Sequence, residues 1–238
     1  MPVTDEAIIL AGGFGTRLRG VVDDVPKPLA PVAGKPFLAW LLDALAAQGM
    51  RRVVLATGYK GEQIAATLGK AWRGMSLDYS REDAPLGTGG AIALAMRLVT
   101  GDACFVLNGD TWLELDYAAF DQATRAAEAA LGMALARVSD VGRYGAVHVD
   151  GGRVTGFAEK GSSGPGYINA GVYWIARSLT RDFPAAKAFS FERDVLAAAA
   201  ARGTVLAYTR TEGFIDIGVP EDYRRGQALF KAHEGGGA

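Results

Sequence analysis

A glycine-rich stretch near the N-terminus, followed by two cations, has the residue types of a polyphosphate site. The apolar run 7–10 leads into three glycines within residues 12–15. Glycines leave backbone N–H groups open to a ligand, because no Cβ blocks its approach. Arg17 and Lys27 follow, the second between two prolines, and they add fixed positive charge. The spacing predicts a phosphate-binding loop at the end of a strand.

Two common phosphate loops do not fit this stretch. The dinucleotide-binding fingerprint requires a third glycine, but Leu18 occupies that position when the count starts at Gly13. A Walker A loop requires Gly-Lys-Ser/Thr, whereas Pro36 and Ala71 follow the two Gly-Lys pairs. The stretch therefore disfavours a P-loop enzyme and a nicotinamide-dependent dehydrogenase. An ordinary tight turn after a strand is the plain alternative, and the two following cations count against it.

Two aspartates stand where a metal ion could be held. Asp110 comes shortly after the apolar run 103–107, and ligands of open α/β sheets bind beyond the carboxyl ends of strands. Asp216 lies inside the apolar run 214–217, where a carboxylate is costly to bury without a partner. A shared Mg²⁺ would satisfy both carboxylates. A turn cap is the alternative role for Asp110.

A second glycine-rich loop, residues 85–90, precedes a predicted helix. Small residues there would let a flat base lie against the backbone, and capping of the helix by Thr88 is a compatible alternative. Glu82, just before the loop, could accept hydrogen bonds from the N1–H and N2–H₂ groups of guanine. We therefore expect this loop to bind the base of a nucleotide.

The motifs together resemble those of the sugar-1-phosphate nucleotidylyltransferases, the NDP-sugar pyrophosphorylases. The family pattern L-A-G-G-x-G-T-R-L followed by P-K-P is matched at every position between Leu10 and Pro28, and the resemblance continues along nearly the whole chain. Within the family, the chain is most similar to the D-glycero-α-D-manno-heptose 1-phosphate guanylyltransferases. The segments that carry this narrower resemblance are 23–28, 85–91, 189–192 and 216–223.

The resemblance implies transfer of a nucleoside monophosphate from an NTP, with GTP favoured, to a sugar 1-phosphate, with D-glycero-α-D-manno-heptose 1-phosphate favoured. Arg17, Lys27 and Asp110 would be catalytic, because a reaction between two anions requires alignment and charge neutralisation. Asp110 and Asp216 would hold Mg²⁺. The open alternatives are a mannose 1-phosphate guanylyltransferase, a uridylyltransferase for another sugar and a non-catalytic sugar-nucleotide-binding subunit.

The resemblance also implies two sets of binding residues. The nucleotide-binding set comprises Leu10, Ala11, Gly12, Gly13, Gly15, Thr16, Arg17, Lys27, Glu82, Gly87, Thr88, Asn108 and Gly109. The sugar-phosphate-binding set comprises Tyr144, Gly145, Glu159, Lys160, Asn169 and Gly171. The segment 189–192 would close over the sugar, or would begin a helix capped by Ser190. No general base is needed, since the attacking phosphate is already an anion, and we interpret His148 and His233 as structural.

Apolar runs alternate with helical patterns in the first half of the chain, which predicts a parallel sheet with helices on both faces. The predicted strands there are 7–10, 52–57, 75–79 and 103–107, and the predicted helices are 37–48, 61–68 and 89–99. The second half predicts strands at 132–138, 145–149, 153–159, 168–175, 205–209 and 214–217, and helices at 191–201 and from Pro220. The segment 150–152 is typical of a hairpin turn.

These elements predict an α/β fold, namely a Rossmann-like, mostly parallel sheet flanked by helices, of the nucleotide-diphospho-sugar transferase type. A small β-rich part in the second half would bind the sugar. We expect a single domain over residues 1–233, with a nucleotide-binding half at 1–110 and a sugar-phosphate-binding half at 111–233. A flexible tail would follow at 234–238.

Composition narrows the function classes further. The chain has 238 residues, of which 50% are hydrophobic, and a formal net charge of −1. Such a charge provides no global field to recruit nucleic acid or an anionic membrane, so we expect neither as a partner. The single cysteine, Cys104, excludes an intrachain disulfide and is interpreted as a core residue. No signal peptide or apolar span is evident, which favours a cytoplasmic protein, and the sequence leaves a homo-oligomer open.

Overall fold

One mixed β-sheet, covered by helices on both faces, carries the functional residues. A computed structural model describes residues 3–13, 25–158, 161 and 163–235. In these ranges the strands are β1 (Glu6–Leu10), β2 (Pro31–Val32), β3 (Lys35–Pro36), β4 (Arg52–Thr57), β5 (Ala71–Trp72), β6 (Met75–Arg81), β7 (Ala103–Asn108), β8 (Thr111–Leu115), β9 (Leu131–Val138), β10 (Val147–Asp150), β11 (Arg153–Phe157), β12 (Gly166–Ala176), β13 (Val205–Tyr208) and β14 (Thr211–Asp216).

In the described residues, the helices lie between these strands, except for α6, which follows the last one. The α-helices are α1 (Phe37–Ala47), α2 (Gly61–Leu68), α3 (Gly87–Ala95), α4 (Tyr117–Ala126), α5 (Ala197–Ala201) and α6 (Pro220–Gly235). Short 3₁₀-helices span Lys27–Leu29 and Arg177–Asp182, and a π-helical segment, Glu192–Leu196, runs directly into α5. None of the described helices is long and apolar enough to cross a membrane.

The main sheet has the strand order β10-β11-β13-β9-β12-β7-β1-β4-β6-β5. Strands β7, β1, β4 and β6 are parallel to one another, as the first half of the sequence predicted. Strand β12 then pairs antiparallel with β7 and joins the second half of the chain to the same sheet. The predicted α/β fold class is therefore confirmed, and the β-rich part extends the parallel sheet through β12.

Burial on both faces explains why β1 and β4 read as continuous apolar runs. Side chains of successive strand residues point to opposite faces, so Ile8 and Ile9 enter different cores although both are completely buried. Ile9 packs in the core that includes α1, α4 and α6, whereas Ile8 packs in the core that includes α3 and α5. The carboxyl ends of the parallel strands remain uncovered and open into loops.

Most predicted elements differ from the structure by a few residues at their ends, and two of these differences concern the site loop and the C-terminus. Helix α3 begins at Gly87 and ends at Ala95, and Leu86 rather than Thr88 is its N-cap. Helix α6 extends to Gly235, two residues into the tail expected at 234–238, and 236–238 lie outside the described residues. The predicted turn at 150–152 is confirmed, since it joins the antiparallel strands β10 and β11.

Candidate active site

A cleft of about 640 Å³ opens at the carboxyl ends of β1, β4, β6 and β7. Ligands of open α/β sheets bind at this edge. The predicted site residues that line the cleft are Leu10, Gly12, Gly13, Lys27, Glu82, Gly87, Thr88, Asn108, Gly109 and Asp110. Ala11 is buried, and its N–H donates to the Ala56 carbonyl at 2.8 Å. The other predicted residues of this first half, Gly15, Thr16 and Arg17, lie outside the described residues.

Gly109 lets strand β7 leave the sheet in close contact with β1. Its N–H donates to the Leu10 carbonyl at 2.9 Å, and a Cβ on Gly109 would lie only 2.6 Å from that carbonyl oxygen. A side chain at this position would therefore push the two strand ends apart. The close approach places Asn108 and Asp110 on either side of Gly109, beside the glycine-rich exit of β1.

Lys27 and Asp110 form an ion pair inside the cleft, with the Lys27 ammonium donating to Asp110 Oδ2. Both side chains are largely buried, being 12% and 33% exposed. Pro26 and Pro28 restrict the backbone around the lysine, which lies in the first position of a short 3₁₀-helix. The pair therefore places a fixed cation at the end of β7.

Asp216 lies next to this pair through the ribbon formed by β8 and β14. In that ribbon Asp216 is opposite Thr111, and the Ile217 N–H donates to the Asp110 carbonyl at 3.0 Å. Burial raises the pKa of Asp216, and the neighbouring Asp110 carboxylate raises it further, while Lys27 opposes both effects. The structure thus brings together the two aspartates that the sequence singled out 106 positions apart.

The chemistry of this aspartate pair fits a divalent cation. Two carboxylates that disfavour each other's charge would both be relieved by a metal ion between them. Among the described residues no group of three or more His, Cys, Asp and Glu side chains could hold a metal. Mg²⁺ typically binds through one or two carboxylates, with substrate phosphates and water as the remaining ligands. Asp110 and Asp216 match that pattern.

Glu82 lies at the opposite end of the cleft, where β6 ends. Its Oε2 accepts a hydrogen bond from the Leu86 N–H at 2.9 Å, and so fixes the start of the second glycine-rich loop. Its Oε1 faces the backbone of Gly12 and Gly58, since a Cβ on either glycine would lie 2.7 Å from that oxygen. One carboxylate oxygen is therefore used by the loop, and the other lies beside the exits of β1 and β4.

The second glycine-rich loop is shaped by packing against the segment 187–191. A Cβ on Gly89 would lie 2.2 Å from the Phe189 ring, and one on Gly90 would lie 2.3 Å from the Lys187 carbonyl oxygen. These two glycines therefore accommodate protein, and only Gly87 and Thr88 of the loop's helical start line the cleft. The expectation that Thr88 caps α3 is wrong, because its hydroxyl accepts from the Phe191 N–H at 2.9 Å and donates to Glu192 Oε2 at 2.7 Å.

Several residues of the cleft were not among the individually predicted binding residues, although Pro85 belongs to the loop that was expected to bind the base. They are Pro28, Ala56, Gly58, Tyr59, Arg81, Asp83, Ala84, Pro85, Ala91 and Glu192. Seven of them lie at the carboxyl ends of β4 and β6 or directly after them, and the rule that placed Asp110 after β7 would have found them once the order of the parallel strands was known. Glu192 belongs to the segment 189–192, which was expected to close over the sugar, and it reaches the nucleotide cleft from the π-helical segment in the second half. Ser190 does cap that segment, since its hydroxyl accepts from the Arg193 N–H at 3.2 Å.

The predicted sugar-phosphate residues are placed differently from the nucleotide residues. The described residues that line the cleft do not include Tyr144, Gly145, Asn169 or Gly171. The Asn169 amide is bonded within its own strand, since it donates to the Tyr173 hydroxyl at 2.7 Å and accepts from the Gly171 N–H at 2.9 Å. Glu159 and Lys160 lie outside the described residues.

Gly171 packs against the side chain of Asn108, which lines the cleft. It adopts a φ of +69°, and a Cβ there would lie 2.5 Å from the Asn108 side-chain nitrogen. A larger residue would displace the Asn108 amide, which lines the cleft. Gly171 therefore shapes the site indirectly, through the side chain packed on it.

Tyr144 lies between Arg143 and β14. The Arg143 guanidinium donates to its hydroxyl at 2.6 Å, and its ring packs edge-on against Phe214 with the centroids 5.5 Å apart. Burial raises the pKa of Tyr144, and the charge of Asp216 adds to the effect although Arg143 opposes it. The tyrosine is therefore close to the carboxylate pair even though it does not line the cleft.

The remaining titratable candidates have structural positions. Cys104 is completely buried, its sulfur lies 3.3 Å from the Met96 sulfur, and burial raises the pKa of its thiol. The interpretation of this cysteine as a core residue is therefore confirmed. His148 lies exposed on the outer strand β10, away from the cleft-lining residues.

Comparison with known proteins agrees with this site. Residues 6–232 match the family model described as Nucleotidyl transferase. The chain belongs to the nucleotidyl transferase family. The family resemblance of the sequence is thereby confirmed over almost the whole chain.

Similar members of the nucleotidyl transferase family include both enzymes and a liganded structure. A D-glycero-α-D-manno-heptose 1-phosphate guanylyltransferase from Aneurinibacillus thermoaerophilus is 41% identical, with 93% of this chain and 96% of that protein covered. A mannose-1-phosphate guanylyltransferase from Mycobacterium tuberculosis is 38% identical, with 94% and 64% covered. The crystal structure of HddC from Yersinia pseudotuberculosis complexed with GMP-PN superposes with a TM-score of 0.85 at 38% identity, covering 95% of this chain and 100% of that one.

Proposed function

We propose that this nucleotidyl transferase transfers GMP from GTP to D-glycero-α-D-manno-heptose 1-phosphate and releases pyrophosphate. The observation that carries the proposal is the Lys27–Asp110–Asp216 cluster at one end of a cleft lined by glycine-rich loops. The choice of base and sugar is supported by the relative from A. thermoaerophilus and by the HddC complex with GMP-PN.

The two ends of the cleft suit the two ends of a nucleotide. Glu82 and the loop that it fixes would face the base, whereas Lys27 and the aspartates would face the phosphates. Between them, Gly12 and Gly13 line the cleft with backbone that a phosphate can approach closely. This layout orients the α-phosphate toward the carboxyl end of β7.

The reaction forms one bond to the α-phosphorus and breaks another. An oxygen of the sugar phosphate attacks that phosphorus, the bond to the bridging oxygen of the β-phosphate breaks, and pyrophosphate leaves with the bonding electron pair. The nucleophile is already an anion, so the protein need not remove a proton. Its tasks are to hold the two anions in line and to offset their repulsion.

Lys27 would stabilise negative charge that builds up on the α-phosphate. Its ammonium is fixed by Asp110 and by the flanking prolines, so little reorganisation is required when charge develops. Arg17, which precedes it in the sequence, would act on the leaving pyrophosphate. The half 1–110 would thus bind the nucleotide, and the half 111–233 would bring the sugar phosphate, with Tyr144, Gly145, Glu159, Lys160, Asn169 and Gly171 on that side.

Enzymes of this family use a divalent metal ion. We propose Mg²⁺, because two carboxylates without nitrogen or sulfur ligands form a hard, oxygen-only donor set. Asp110 and Asp216 would hold it. When bound, the ion would neutralise phosphate charge and help to align the reacting groups.

The test is pyrophosphate release with Mg²⁺ for each of the four NTPs, combined with heptose, mannose and glucose 1-phosphates. We expect GTP with the heptose phosphate to give the highest kcat/KM. Highest turnover with mannose 1-phosphate would instead support the second candidate, a mannose 1-phosphate guanylyltransferase, which the M. tuberculosis relative favours. Absence of turnover from folded protein with every pair would contradict the proposal.

A matched pair of lysine variants separates catalysis from stability in the same assay. Lys27→Met removes the cation of the cleft and should lower kcat/KM by about 100-fold or more. Lys35→Met removes a lysine that pairs with Asp43 at 2.5 Å and covers the Trp40 ring, outside the cleft. That control should keep kcat/KM within about threefold while it loses some stability.

A further inference from the structure

Arg143 joins the segment before β10 to helix α6. Its guanidinium donates through Nη2 to the Asp222 carboxylate and, at 2.6 Å, to the Tyr144 hydroxyl, and it lies 4.5 Å from the centre of the Tyr144 ring. The sequence had singled out Tyr144 and not the arginine before it. Arg143 does not line the nucleotide-binding cleft described above.

Asp222 holds the Arg143 guanidinium in place through an ion pair. It lies in the first turn of α6 and its side chain is only 3% exposed, whereas the Arg143 side chain is 41% exposed. A buried carboxylate requires a charged or hydrogen-bonded partner, because an unpaired one carries a large desolvation cost. The ion pair therefore holds a partly exposed guanidinium at one position, on the side of the molecule where the sugar phosphate is proposed to bind.

The guanidinium has donors left for a ligand. Among the described residues, the side-chain hydrogen bonds of Arg143 are all made by Nη2. Its Nε–H and Nη1–H groups remain available; each bidentate pair of a guanidinium includes Nη2, so these groups would each donate a single hydrogen bond to a phosphate oxygen beside the fixed positive charge.

Each of the two aspartates then has a cation in its surroundings. Lys27 pairs with Asp110, and Arg143 is held next to β14, the strand that ends in Asp216, because its partner Tyr144 packs against Phe214. An incoming sugar phosphate is a dianion near neutral pH and would be repelled by both carboxylates. A cation on its own side of the site would offset that repulsion.

We propose that Arg143 binds the phosphate group of the sugar 1-phosphate and that Asp222 is the positioning residue that holds Arg143 there. The inference rests on the proposed function, and it names a residue of the acceptor site that the sequence motifs did not indicate. Tyr144 has a supporting part, since its ring and hydroxyl keep the guanidinium plane in place.

The central test compares Arg143→Gln with Arg225→Gln. Arg225 also pairs with Asp222, at 3.5 Å, but from the exposed surface of α6, so the control removes the same charge from the same carboxylate. Arg143→Gln should raise the KM for the sugar 1-phosphate by at least about tenfold and leave the KM for GTP within about twofold. Arg225→Gln should change neither constant by more than about twofold.

Asp222→Asn tests the positioning role. It should raise the KM for the sugar 1-phosphate without changing the KM for GTP, and the double variant with Arg143→Gln should be little worse than Arg143→Gln alone. Arg143→Lys should recover part of the binding, because it keeps the charge but not the guanidinium geometry that Asp222 and Tyr144 hold in place. Calorimetric binding of the sugar 1-phosphate should follow the same order, which gives a readout independent of turnover.

The outcomes separate this inference from the proposed function. Wild-type turnover with a different sugar 1-phosphate would change the proposed substrate, and Arg143 would then be tested with that substrate. An unchanged KM for the sugar 1-phosphate in Arg143→Gln, with an active wild type, would overturn the inference alone. Equal increases in the KM for the sugar 1-phosphate and the KM for GTP would also overturn it, because the substitution would then have disturbed the fold as a whole. A wild type that binds no sugar 1-phosphate would overturn both.

Discussion

Carboxylates near the two ends of the parallel strands are in opposite electrostatic situations. At the amino ends, Glu6 accepts hydrogen bonds from the Thr100 N–H and hydroxyl and from the Gly101 N–H, at 2.7 to 2.8 Å. Burial alone would raise the pKa of Glu6, but these bonds and Arg52 outweigh it and hold the pKa below its ordinary value. At the carboxyl ends, Asp216 faces another carboxylate and has a raised pKa.

This contrast indicates that the carboxylate at the amino ends contributes to stability, whereas the aspartates at the carboxyl ends contribute to chemistry. Donors within the fold fully satisfy the acid at the amino ends, so its charge stabilises the folded state. The aspartate pair at the carboxyl ends keeps a mutual repulsion that a cation or a phosphate-bound metal would relieve. Charge that the fold leaves uncompensated is therefore concentrated where a ligand is proposed to bind.

Asp216→Asn, which changes the carboxylate at the carboxyl ends, should have the largest effect. We expect kcat/KM to fall by about 1000-fold, equivalent to about 4 kcal/mol, because one of the two proposed metal ligands loses its charge. The melting temperature without metal should be unchanged or higher, since the fold disfavours the charged form that is removed. Steady-state kinetics and thermal unfolding test both halves of the prediction, and a variant that is inactive because it has unfolded would contradict it.

Asp121→Asn should have the opposite signature. One oxygen of this buried carboxylate accepts from the Thr4 hydroxyl, the Trp174 indole and Arg125, at 2.6 to 2.9 Å. An amide in its place would lose the ion pair and about 3 kcal/mol of unfolding free energy, with kcat retained in the folded protein. Urea unfolding measures the loss, and Gln122→Ala, on the exposed side of α4, is the control. A loss of activity without a loss of stability would contradict the assignment.

Glu6→Gln should give the smallest effect, a loss of about 2 kcal/mol near neutral pH. The lowered pKa of Glu6 means that its stabilisation is present above the pKa of the unfolded chain and is lost as the pH falls through the folded value. The wild type should therefore exceed the variant in stability near pH 7, and the difference should shrink below about pH 4. A difference that is the same at both pH values would show that the charge of Glu6 does not matter.

Local sequence patterns predicted most of the elements and much of the cleft. Strand β4 and helix α2 have the predicted bounds, because a valine-rich run and a short amphipathic segment each fix their own conformation. Helix α4 was not predicted, although Asp116 caps it by accepting from the Ala119 N–H at 2.9 Å. Its apolar face is interrupted by Asp121, which is buried only because Trp174, Thr4 and Arg125 meet it in the fold.

By itself, the sequence determined the parallel half of the sheet, the glycine-rich exits of its strands and the aspartates at 110 and 216. These follow from the periodicity of hydrophobic residues, from backbone sterics and from motifs whose residues are close together in the sequence. Only the tertiary structure decided that β12 would join the two halves in one sheet, that Asn169 would be bonded within its own strand, and that Asp222 would fix Arg143. Those contacts join residues far apart in the sequence, and burial, which sets their energies, exists only once the chain has folded.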